Sequence, residues 1–213
     1  MLLTAAGPVA GQEAEEGIVL DARTVELYNE ALQCTGDGDY RGAVTRLVEA
    51  LERTPGERRI YMSLVEPCFN TGQIALLREH LKRAKTFFPA DDEICYYLAT
   101  VYLKENNLTM AIREFTRAID SQEKEGAKSA MLSTYYTSRG NCYLKINRFD
   151  QAIADYDNSL ALDAAVGSIY ANRGIAYFKT GRPFLACQDW RKAKSLGISS
   201  VNQYIVKYCK NVR

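Results

Sequence analysis

Residues 133–166 read STYYTSRGNCYLKINRFDQAIADYDNSLALDAAV, and residues 167–200 read GSIYANRGIAYFKTGRPFLACQDWRKAKSLGISS. Laid one above the other, the two stretches place Tyr136 over Tyr170, Gly140 over Gly174, Tyr143 over Tyr177 and Ala152 over Ala186, always at the same step. That step recurs towards the N-terminus. It separates Tyr61 from Cys95, Ala50 from Ala84, Ala84 from Ala118 and Pro55 from Pro89. A fixed period of about 34 residues marks a repeat array, in which one supersecondary unit stacks on copies of itself. Such arrays offer extended surfaces for other chains.

Each unit reads as two helices. In residues 24–57, Leu27, Ala31 and Cys34 recur at helical spacing on one face. A turn follows at Gly36–Tyr40, then Ala43, Leu47 and Ala50 form a second face, and Pro55 stops the helix. Residues 58–91, 92–132, 133–166 and 167–200 repeat the scheme, with turns at Gly72, Asn106, Asn147 and Gly181. Small residues stand where helices cross closely and aromatics where a hole must be filled. Two departures carry expectations. Pro67 falls inside a first helix and should kink it, and Leu77 replaces a small residue, so that hairpin should splay. Cys95 and Tyr136 are separated by one step and seven residues more. Seven extra residues make almost two helical turns, so they can lengthen a helix without rotating its buried face. The expectation is that Gly126 ends one helix and Ala127–Leu132 begins the next early. After residue 200, a segment over 201–213 carrying Val201, Tyr204, Ile205 and Tyr208 reads as a closing helix capped by Ser200.

The pattern Tyr136-x3-Gly140-x2-Tyr143 and its copy Tyr170-x3-Gly174-x2-Tyr177, with Ala, aromatic and Ala in the second helix, resembles the tetratricopeptide repeat (TPR) family. The resemblance covers about residues 24 to 200. It implies an all-α, right-handed superhelical solenoid of five units plus the C-terminal capping helix. It also implies a non-enzymatic scaffold that binds a protein or peptide segment in a concave groove lined by the first helices. Carried over by unit position, the groove would take Tyr28, Leu32, Met62, Phe69, Tyr96, Leu103, Asn141, Leu144, Asn172, Ile175 and Phe178, bordered by Lys104, Lys145 and Lys179. An apolar stripe beside lysines suits a peptide with acidic residues. The alternative is an assembly or regulatory subunit of a larger envelope complex that uses the convex face. The chaperone-tail clamp of some family members fits poorly, because Thr137 holds a lysine place and Val201 and Ile205 stand at the cationic positions.

Composition narrows the classes. Lys and Arg number 27 against 26 Asp and Glu, which gives no electrostatic footprint for nucleic acid. No apolar run reaches the roughly 20 residues of a spanning helix. No Ser–His–Asp or Cys–His arrangement, metal-ligand spacing or phosphate loop is present, so neither an enzyme nor a cofactor is expected. His80, the one histidine, reads as a surface residue. Arg139 with Asp155, and Arg173 with Asp189, read as salt bridges within a repeat.

The start, MLLTAAGPVAG, is apolar and uncharged, and Gln12 to Glu16 then turns acidic. Residues 1–23 read either as a secretory signal that lacks its basic leading segment, placing the protein in the periplasm or beyond, or as a disordered tail. Cys34, Cys68, Cys95 and Cys142 read as free buried thiols. Cys187 and Cys209 fall at nearly one height on neighbouring antiparallel helices, and the pattern Cys187-x2-Trp190 with Tyr208-Cys209 resembles closing segments of exported bacterial TPR proteins. A disulfide between them is expected, of the kind that persists in an oxidising compartment.

Overall fold

Five residues with positive φ set the rhythm of the fold. Gly38 (φ 80°), Gly72 (72°), Asn106 (57°), Asn147 (61°) and Gly181 (74°) each sit in the turn between a first and a second helix. Glycine and asparagine are the residues that enter this left-handed region at least cost. Their spacing is the repeat itself, one step from each to the next, with the seven extra residues falling between Asn106 and Asn147.

The structure is a computed structural model, and it describes residues 20–124 and 130–210. Among these residues there are eleven α-helices, one 3-10 turn and no strand. The fold is an all-α solenoid of helix-turn-helix units. Two compact units divide the chain, one ending at Lys104 and the other beginning at Glu105.

The first unit holds α1 (Ala22–Gly36), α2 (Tyr40–Arg53), α3 (Arg58–Thr71), α4 (Ile74–Phe87) and α5 (Asp92–Lys104). Helix starts are chemically marked. Asp21 accepts from the backbone amides of Arg23 and Thr24, and Asp39 accepts from that of Gly42. These carboxylates satisfy amides that the first turn leaves without partners. Leu27, Ala31, Ala43, Leu47, Ala50, Tyr61, Cys68, Leu77, Leu81, Ala84, Cys95 and Ala99 are buried, the positions at which the repeat places small and large apolar residues. Helix α3 runs unbroken from Arg58 to Thr71 through Pro67. Pro67 is itself buried there, where a proline ring fills space as an apolar side chain would.

The second unit holds α6 (Leu108–Lys124), α7 (Ala130–Lys145), α8 (Phe149–Leu162), α9 (Gly167–Lys179), α10 (Pro183–Ser195), the 3-10 turn Ser199–Val201 and α11 (Asn202–Tyr208). Its helices cross at two glycines. A Cβ on Gly140 would lie 2.9 Å from Tyr156 Cε1, and one on Gly174 would lie 2.6 Å from Trp190 Nε1. The large rings of the second helices therefore lie against the bare backbone of the first. Where other repeats carry alanine, Ser159 is fully buried. Its hydroxyl is answered by Ser133 Oγ at 2.8 Å and Thr137 Oγ1 at 2.7 Å, as a buried polar group requires.

Several expectations change. The early start of α7 does not: α6 runs 17 residues to Lys124 and α7 has begun by Ala130, inside the Ala127–Leu132 stretch expected to open it, so both helices carry part of the extra length. Gly126 and Ala127 fall outside the described residues, as do residues 1–19. The closing segment opens on a 3-10 turn, and Val201, not Ser200, is the N-cap residue of α11, without a side-chain hydrogen bond. Its main chain enters the helix through the turn, so no hydroxyl cap is formed.

Candidate functional site

The repeats at residues 133–166 and 167–200 carry one charged device twice. Arg139 donates from Nε to Asp155 Oδ2 at 2.9 Å and from Nη2 to Oδ1 at 2.7 Å. Arg173 does the same to Asp189 at 2.8 Å for both bonds. Each guanidinium also lies against two tyrosines of its own helix, Tyr136 and Tyr143 around Arg139 and Tyr170 and Tyr177 around Arg173, at 5.4 to 5.9 Å. These tyrosines stand three residues before and four after the arginine, so helical spacing brings them to it. Burial pushes the carboxyls of Asp155 and Asp189 up, and the paired guanidinium opposes that shift. The device locks a first helix to its second helix. It leaves little of either arginine for a ligand, since their side chains are 15% and 17% exposed.

The sequence-derived groove residues divide into three groups. Tyr28 does not belong with the rest. It is 6% exposed and its hydroxyl is 3.0 Å from Ser63 Oγ, so it packs between α1 and α3. Asn141 and Asn172 join neighbouring first helices. Asn141 Oδ1 accepts from Asn172 Nδ2 at 2.9 Å and from the Tyr156 hydroxyl at 2.8 Å. The third group is half-buried and apolar. In the first unit it comprises Leu32, Met62, Phe69, Tyr96 and Leu103; in the second, Leu144, Ile175 and Phe178. Lys104, Lys145 and Lys179 are exposed, and Lys104 Nζ lies 6.0 Å from the centre of the Phe69 ring. Leu32 lies in an open depression along α1, with Val25, Asn29 and Gln33.

At the C-terminal end, three of the expected residues meet three that the sequence assigned only to packing. Ile175, Phe178 and Lys179 of α9 line a cavity of about 220 Å³ with Trp190, Tyr204 and Tyr208. Trp190 and Tyr204 stack at 5.0 Å, and Phe178 and Tyr208 lie 4.4 Å apart. Helix α11 supplies both tyrosines. It is tied down by a disulfide between Cys187 and Cys209, with Cα atoms 5.6 Å apart, and by Arg191, which donates to the Cys209 carbonyl at 3.2 Å. The spacing of Trp190, Tyr204 and Tyr208 carried no sign of a cavity, because it depends on the angle at which α11 returns over α9 and α10.

Two side chains differ from their sequence reading. His80 is half-buried, and its Nδ1 is enclosed without a hydrogen-bond partner. Its ring lies on the flank of α4, at the edge of the packed face and not on the open side. Cys34 is half-buried, whereas Cys68, Cys95 and Cys142 are buried. Burial pushes the Cys68 thiol up to about 12 and the Cys142 thiol up to about 11, so both are poor nucleophiles. Among the described residues no three His, Cys, Asp or Glu side chains converge as a metal site. No described helix is long and apolar enough to cross a membrane.

This is the architecture of a helical-repeat protein whose half-buried first-helix side chains are its candidate contact surface. Two stretches, residues 92–125 and 133–164, each match a family model of the tetratricopeptide repeat. The chain therefore carries tetratricopeptide repeats, and its helix-turn-helix units are those of a TPR solenoid. Solved structures agree in fold. The crystal structure of MamA protein superposes with a TM-score of 0.73 at 20% identity, covering 87% of this chain and 95% of that one. YrrB, described as a TPR protein with an unusual peptide-binding site, gives 0.71 at 16% identity, covering 86% and 92%. The Cut9–Hcn1 hetero-tetramer structure gives 0.68 at 18% identity, covering 88% of this chain and 37% of that one. Comparison with curated proteins gave no match.

Proposed function

We propose that the protein is a non-enzymatic scaffold that binds a segment of another protein along the faces of its first helices. TPR proteins mediate protein–protein interactions in general, and the matched repeats bring that class with them. The observation that carries the finer reading is one recurring position. Phe69 and Leu103 in the first unit, and Leu144 and Phe178 in the second, occupy the same place in successive repeats, and all stay half-exposed. Large apolar side chains held partly in water at a fixed repeat position are suited to an incoming chain. YrrB, a fold relative, is described as having a peptide-binding site, which supports the class of ligand. Cys187–Cys209 supports a place outside the reducing cytoplasm, since such bonds persist in oxidising compartments.

The test is selection of binding peptides from a random library, followed by point variants. Phe69→Ala and Tyr96→Ala should weaken the selected peptides and leave the melting curve in place. Ala152→Leu, at a fully buried position, should instead cost about 1–3 kcal/mol of stability by overpacking. Unfolding by Tyr96→Ala together with a harmless Ala152→Leu would contradict the reading. A second reading, docking through the second helices, has one observation in its favour. Phe184 and Leu185 at the start of α10 are 46% and 36% exposed.

A further inference from the structure

The near-neutral charge of the chain conceals an uneven distribution. Residues 175–210 contain seven Lys or Arg and a single acid, Asp189, and Asp189 is held in both hydrogen bonds by Arg173. Two of the seven, Lys192 and Lys194, occupy the last turn of α10, where a cation is favoured by the helix dipole. Arg182 is paired with Asp150, and Arg191 with the Cys209 carbonyl. Lys179, Lys207 and Lys210 remain, and none has a carboxylate partner among the described residues. Lys179 lines the aromatic cavity, and Lys207 Nζ lies 5.1 Å from the centre of the Tyr208 ring that forms part of its wall.

We propose that this cavity is an anchor site for an acidic peptide segment that seats one phenylalanine-sized apolar side chain against Ile175, Phe178 and the stacked Trp190–Tyr204 pair and places flanking carboxylates at Lys179 and Lys207. The inference rests on the peptide-binding reading above and names the kind of segment the C-terminal end accepts. Size decides between ligand classes. Sites for whole small molecules run to roughly 300–1,000 Å³, and a cavity of about 220 Å³ holds a side chain. Aromatic walls favour an aromatic or large aliphatic guest through offset contacts. Unpaired lysines at the rim favour carboxylates beside it and disfavour a cationic guest. The site depends on α11, because Tyr204 and Tyr208 are two of its six lining residues and belong to a seven-residue helix with no buried side chain of its own. The Cys187–Cys209 bond therefore acts as the fastener of the site.

The experiment uses the full chain with the disulfide intact and three fluorescein-labelled peptides. These are Gly-Asp-Glu-Phe-Glu-Asp-Gly, the same peptide with Ala for Phe, and Gly-Lys-Lys-Phe-Lys-Lys-Gly. Anisotropy should show the first binding about tenfold more tightly than either other, the loss expected for one well-seated anchor. Lys179→Glu, at an exposed position, should weaken it about tenfold or more. Trp190 is the one tryptophan of the chain, so its emission should shift with the same midpoint. Equal affinity for the Phe and Ala peptides, an unmoved Trp190 emission, or indifference to Lys179→Glu would overturn the proposal. Tighter binding to phosphatidylserine-containing vesicles than to any of the peptides would also overturn it, marking a lipid-facing surface. Library-selected peptides that respond to Phe69→Ala and ignore Lys179→Glu would uphold the first-helix reading and defeat this one alone.

Discussion

Two glycines show how sharply single positions differ in this fold. Gly174 faces Trp190 Nε1 and the Ala186 carbonyl, so a methyl group there has no room. Gly36, at the end of α1, would place a methyl with nothing within 4 Å and has no positive φ. Gly174→Ala should therefore destabilise by about 1–3 kcal/mol through overpacking, and Gly36→Ala should stabilise by about 0.4–1 kcal/mol by restricting the unfolded chain. Urea unfolding of both variants checks the pair of signs. His80 gives a pH effect. Burial holds its pKa below the ordinary value, Arg83 adds to this, and Glu52 opposes it. A base with a depressed folded pKa contributes stability that is present above the unfolded value, near 6.5, and lost as pH falls through the folded value. Wild-type protein should lose more stability between pH 7.5 and 5 than His80→Gln does, read from denaturant midpoints at the two pH values. Equal losses would remove His80 from the account. The repeat alone could not reveal the enclosed ring. His80 lies at the border of the buried stripe of α4, where helical periodicity does not decide between open and enclosed.

At the scale of elements, turns were the most legible feature. Gly38, Gly72, Asn106, Asn147 and Gly181 all stand where the period places them, and all adopt the left-handed backbone. Pairing within the later repeats was also legible, because Arg139 with Asp155 and Arg173 with Asp189 repeat at one spacing and meet across their hairpins. Less legible were features set by non-repeating chain. The extra seven residues are shared between a 17-residue α6 and an α7 begun by Ala130; the period gives their number and the early start of α7, and not how far α6 extends. Closure by α11 depends on a disulfide that spans 22 residues and on aromatic stacking over Trp190. A loop of that size contributes about 3 kcal/mol in the chain-entropy model. Cys187→Ser with Cys209→Ser, or reduction by dithiothreitol, should lower the melting temperature and shift Trp190 emission to the red as Tyr204 and Tyr208 leave it. Unchanged Trp190 emission with the cysteines reduced would mean that stacking alone holds α11.

For the whole molecule, the sequence carried the class and only part of the surface. The constant repeat step defines units that cannot bury their apolar faces alone, so the array and its all-α character follow directly. The contact surface follows less directly. First-helix positions were carried over from the repeat pattern, and the pattern does not distinguish a side chain packed between helices from one facing water. Tyr28 was misplaced for that reason, since its hydroxyl finds Ser63. Phe69, Tyr96, Leu144 and Phe178 remain half-exposed, and they carry the central claim. Photo-crosslinking tests it most directly, with benzoylphenylalanine placed singly at Phe69, Tyr96, Leu144 and Phe178, and at Phe87 and Phe184 on the second helices. A library-selected peptide should form adducts at first-helix positions and none at Phe87 or Phe184. Adducts confined to Phe87 and Phe184 would contradict the account and assign binding to the second helices.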